Sequence, residues 1–202
     1  MNTKNKSWRR WLPVGLVLVL PATAGAHTVT SGVGDFFDGV LHPITTPAHL
    51  LVLLGLGLVA GQHPPLNLKV PLAVFIPVSA IALLMTTTGM VKTVYPPILI
   101  GLALIAGLLV ALEKPPSALV GGIFFAIAAL ALGLDSAVET GTDVQIAKTL
   151  LGTWTGLVLV VADIAFYISL FTKWKWQKIG IRVAGSWITA ASFMILAFAL
   201  RR

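Results

Sequence analysis

The chain has 202 residues, 57% hydrophobic and only 10% charged, where a soluble domain carries about 25% charged residues. That composition excludes an ordinary soluble domain and indicates an integral membrane protein. The net charge of +7 does not point to nucleic acid, because the cations stand in short clusters beside apolar spans, the pattern of topology signals and headgroup contacts.

Residues 1–26 read as a secretory signal. Lys4, Lys6, Arg9 and Arg10 form a basic start, Leu12 to Leu20 an apolar stretch, and Ala24-Gly25-Ala26 a small-residue cleavage site. The mature chain then begins at His27, whose α-amine and imidazole could together chelate a metal. The alternative is an uncleaved first helix, giving seven apolar segments. Cysteine is absent, so disulfides and thiolate metal sites are both excluded.

An all-α bundle of six transmembrane helices is expected over residues 27–202, at about 34–62, 70–90, 96–112, 117–134, 146–171 and 181–200. Such lengths suit a hydrocarbon core of about 30 Å, and lipid offers backbone groups no partners outside a helix. The first span is interrupted by Pro43 and Pro47. The sequence predicts a short helix or loop to His42, a turn over 43–46, and a helix from Pro47 capped by Thr46. With the signal's basic end in the cytoplasm, ten of the 14 Lys and Arg residues fall inside. The mature N-terminus and the C-terminus then lie on the periplasmic side of a bacterial inner membrane. Trp174 and Trp176 interleave with lysines, which suits the cytoplasmic interface.

Ionisable groups inside such spans are costly and face a wet cavity or a partner. In the first span Asp35, Asp38, His42 and His49 fall within an arc of roughly 60° on an unbroken helix. Imidazoles are common ligands for nickel, zinc and copper, and a carboxylate can complete such a site. Carbonyls freed at the turn could also coordinate a cation. The plainer readings are that the histidines cap or bridge helices and the aspartates are solvated. Asp135 and Glu139, at i and i+4, form a candidate second cation site or simply end a helix in water. Asp163 lies well inside the apolar fifth span and should face a partner or a wet path. Thr86, Thr87 and Thr88 could line a path, although such hydroxyls usually bond their own backbone. Walker, dinucleotide and HExxH signatures are absent, so an enzyme is the weaker idea.

The first-span stretch FFDGVLHPITTPAHLLVLLGLGLVAGQ and the six-span pattern resemble the HupE/UreJ family of bacterial membrane proteins, associated with nickel supply to hydrogenase and urease. Of that family's HPxxGxDH motif, His42, Pro43 and His49 match, while Thr46 stands for the glycine and Ala48 for the aspartate. Of its HGxAHGxE motif only Gly133 and Glu139 remain. Leu132 and Ser136 occupy the histidine positions, and Asp135 the alanine position. The resemblance implies a permease carrying a divalent transition-metal ion, nickel or similar, as cargo, with no tightly bound cofactor. His42 and His49 are expected to bind the ion at the break, Asp35 and Asp38 to gather it, and Glu139 and Asp163 to extend its path. The alternative is a non-transporting membrane subunit that packs on partner proteins, or on its own copies, through glycine-rich faces.

Overall fold

The computed structural model describes residues 34–63, 69–89, 94, 96–114, 116–138, 140–199 and 201. The expected signal, His27 and Glu139 lie outside the described residues. The described residues form seven helices: α1 (Asp35–Thr45), α2 (Pro47–Gly61), α3 (Lys69–Thr86), α4 (Pro96–Ala111), α5 (Ala118–Leu134), α6 (Asp143–Leu170) and α7 (Lys175–Ala199). Among the described residues there is no strand.

Three helices, α3, α6 and α7, are each long and apolar enough to cross a membrane, and the α1–α2 pair passes as a fourth if counted as one bent span. The apolar helices α4 and α5 are shorter, at 16 and 17 residues, or about 24–26 Å at 1.5 Å per residue.

The core forms around α2, which is hydrophobic on every side and buried accordingly. Val52, Leu53 and Leu56 are fully enclosed, with α4 and α6 as the main neighbours. Lipid tails are as apolar as leucine, so close packing of small residues, not water exclusion, draws such helices together. The α1–α6 crossing shows this most clearly. A Cβ at Gly39 would collide with the Thr149 carbonyl, and one at Gly152 with the Phe36 carbonyl. Added at Gly156, it would lie 2.5 Å from the Val40 carbonyl. Phe36 thus faces Gly152 and Val40 faces Gly156, so α1 and α6 run in the same direction.

Several boundaries differ from the sequence reading for local reasons. Helix α6 starts earlier because Thr142 and Gln145 form a reciprocal capping box. Helix α7 takes in Lys175, Trp176 and Lys178, so it starts before the expected residue 181.

The break in the first span also differs. Helix α1 continues through Pro43, and the chain leaves helical geometry only at Thr46 (φ −90°, ψ 110°). Proline pushes its predecessor out of the helical region, so Pro47 sets the break. Pro43 is buried, and its ring lies against Gly156. The last turn stays closed through Thr46 N–H to the His42 carbonyl at 3.0 Å. The Thr45 hydroxyl adds a bond to the Leu41 carbonyl at 3.1 Å. Thr46 occupies the cap position of α2, but its side chain makes no capping bond. Here α1 and α2 are bent by 75°.

Candidate metal site at the broken helix

Residues 35, 38, 42 and 49 do not share one helical stripe. Asp35, Asp38 and His42 ride on α1, and His49 follows the bend in the first turn of α2. The bend nevertheless joins the two imidazoles, with ring centroids 5.3 Å apart and planes nearly perpendicular at 86°. His49 is fully buried and His42 half-buried, with the His42 Nε2 atom out of solvent reach.

From the other side the end of α5 closes on this pair. His49 Nε2 lies 3.0 Å from Asp135 Oδ2, across 86 residues of sequence. Asp135 is the C-terminal cap of α5, where the helix dipole disfavours an anion. Helix stability therefore does not explain this carboxylate, whereas its histidine partner does. An ionised carboxylate only accepts, so His49 donates through Nε2, and a neutral ring then carries its lone pair on Nδ1. That Nδ1 is buried and has no hydrogen-bond partner among the described residues. Carboxylate, histidine and open nitrogen are arranged as in metal sites whose carboxylate fixes the ring's tautomer and orientation.

Two backbone groups share the neighbourhood. Pro43 and Pro47 supply no N–H, so the Gly39 and Pro43 carbonyls lack their usual intrahelical donors. Asp35 and Asp38 are half-buried in the first turn of α1, where the helix dipole favours anions.

The remaining candidates fall elsewhere. Asp163 is exposed on α6, while Val161 and Ala165 beside it are fully buried; the structure does not bring it to the histidines. Each of Thr86, Thr87 and Thr88 bonds a backbone carbonyl three residues back. Ser136, at a family histidine position, is buried and bonds the Leu132 carbonyl at 2.7 Å. Among the described residues no group of three or more His, Cys, Asp or Glu side chains is gathered closely enough to hold a metal ion. What the fold assembles is an imidazole pair with one carboxylate bonded behind it. Asp135 as the partner of His49 was the missed assignment. The available signal was depth, since the end of the fourth span and the broken start of the first are expected on the same side.

An all-helical chain with apolar helices of membrane-spanning length around such a pair belongs among polytopic membrane proteins. A family model described as HupE / UreJ protein matches residues 15–195, most of the chain, and the chain belongs to that family. Its members are known as membrane proteins related to nickel and cobalt, as transporters or accessory proteins and not as an enzyme class. No curated protein and no solved structure matches the chain.

Proposed function

We propose that this protein is an inner-membrane permease for a divalent transition-metal ion, nickel or similar, with its binding point at the α1–α2 bend. One observation carries the reading: among the described residues the buried His49 Nδ1 has no partner, while Asp135 holds the opposite edge of the ring. A buried polar atom without a partner is costly, and a cargo ion supplies the missing contact. His42 is the second ligand. The Gly39 and Pro43 carbonyls, which lack their usual intrahelical donors, would add oxygen contacts, and the carboxylates of Asp38 and Asp35 would gather the ion on its way in. Imidazole donors favour nickel, copper and zinc over magnesium or calcium. Asp135 orients His49 and does not ligate. Two side-chain ligands with open positions suit an ion that must also leave.

Helix directions support six crossings with the mature N-terminus and the C-terminus in the periplasm. Gly57 and Gly61 of α2 meet α6 around residues 161–168 in the same direction, and α3 and α5 run parallel from Val70–Gly122 to Ala82–Gly133. Helices α4 and α7 are antiparallel, since Gly107 meets Thr189 while Ala111 meets Gly185 and Arg182. Six alternating spans require that odd and even members pair in this way. The short α4 and α5 then sit where the bilayer thins or the helices stand upright. An inward-negative potential of 100 mV contributes about 4.6 kcal/mol to moving a divalent ion inward.

The test is metal uptake by purified protein in liposomes, comparing wild type with His42→Ala and His49→Ala. Uptake by wild type alone is expected. Equal uptake by all three removes the permease reading and leaves a packing subunit, in which the histidines only bridge helices.

A further inference from the structure

One costly group stands outside this site. Asp163 is exposed on α6, and seven residues separate it from Leu170 at the helix end, or about 10 Å along the axis. Among the described residues nothing hydrogen-bonds it, and the same holds for the Tyr167 hydroxyl one turn later. Tyr167 is 60% exposed, and Leu170 is 49% exposed. Leu159, Asp163, Phe166 and Leu170 lie on one outward stripe of α6 at four-, three- and four-residue spacing, the spacing of a helix-pairing seam, with Tyr167 beside it.

We infer that this seam is where a second copy of the chain docks, α6 against α6. The inference rests on the membrane placement above but not on the metal site. Two copies inserted in the same sense are related by a two-fold axis along the membrane normal, so residues of equal depth meet. Helical side chains lean toward the N-terminus. The Tyr167 hydroxyl of one copy therefore reaches back to the level of Asp163 in the other. Each Tyr167 O–H donates to the facing carboxyl group, giving two equivalent bonds. One face supplies both donor and acceptor, and that self-complementarity selects a second copy over an unrelated helix.

The chain has no cysteine, so single substitutions report cleanly. In full-length protein in lipid nanodiscs or detergent, Leu159→Cys and Leu170→Cys, both on exposed positions, should cross-link into dimers with a short bifunctional thiol reagent. Val183→Cys and Phe193→Cys, exposed on α7, should not. Mass measurement should give two chains for wild type and for Asp163→Asn, which keeps an acceptor. Asp163→Leu and Tyr167→Phe should each weaken the dimer roughly tenfold, as loss of interhelical bonds in lipid does. A wild type monomeric at every concentration overturns the inference, as do α7 cross-links as strong as those from the seam. So does capture of Leu170→Cys by a second cysteine at Val17 of the same chain, which makes the N-terminal segment the occupant. None of these side chains is part of the histidine pair, so a negative result here leaves metal uptake as a separate question.

Discussion

The two ends of the bundle use buried polar groups differently. At the end expected inside, Gln62 is buried and donates to the Val110 carbonyl at 2.9 Å. Arg182 Nε donates to the neighbouring Ala111 carbonyl at 3.0 Å, and its guanidinium lies 3.7 Å from Glu113. These side chains finish the hydrogen bonding of α4's last turn and tie α2 and α7 to it. At the other end His49 is equally buried, yet its Nδ1 has no partner among the described residues, and its carboxylate comes from the unfavourable end of a helix. The inner-end groups finish the hydrogen bonding of helix ends, whereas the ring nitrogen held in place by Asp135 is the one on which the proposed binding point rests.

That contrast fails if inner-end changes alter metal binding or outer-end changes act only through stability. The largest effect is expected from Gly152→Leu, which drives a side chain into the α1 backbone at Phe36. It should cost more than about 3 kcal/mol and separate α1 from α6, read as loss of a monodisperse, cooperatively melting protein in detergent. His49→Ala should remove nickel binding in calorimetry, a drop of at least about a hundredfold, while the protein remains helical by circular dichroism. Asp135→Asn keeps the shape but weakens the hold on the ring, so affinity should fall about 10- to 100-fold with little change in melting. Gln62→Leu reverses this pattern, costing about 1 kcal/mol in thermal melting with metal affinity unchanged. Arg182→Ala should be smallest, within about 1 kcal/mol in the same melting assay, because the Glu113 pair is solvent-accessible. Metal affinity that drops with Gln62→Leu as far as with Asp135→Asn would erase the distinction.

Much of the fold is legible because lipid permits few backbone solutions. The apolar runs became helices, and the first span breaks where two prolines crowd its polar residues. Which proline breaks it is not legible from spacing. Pro43 is held inside α1 by packing on Gly156, a contact that depends on α6, more than a hundred residues away. The His49–Asp135 bond is hidden for the same reason, since it spans 86 positions and joins two helix ends. Asp163 shows a further limit. In a helix apolar nearly all round, periodicity does not say which way a residue turns, and the fold turns this one outward. The Thr142–Gln145 capping box was readable from a Thr-x-x-Gln pattern alone.

The joint at Thr46 has a mechanical consequence. One imidazole belongs to the arm clamped on α6 and the other to the arm threaded through the core, so the gap between the rings is a function of the elbow angle. On the permease reading proposed above, an ion held by both rings would brace the elbow, and its loading and release would be coupled to the elbow angle.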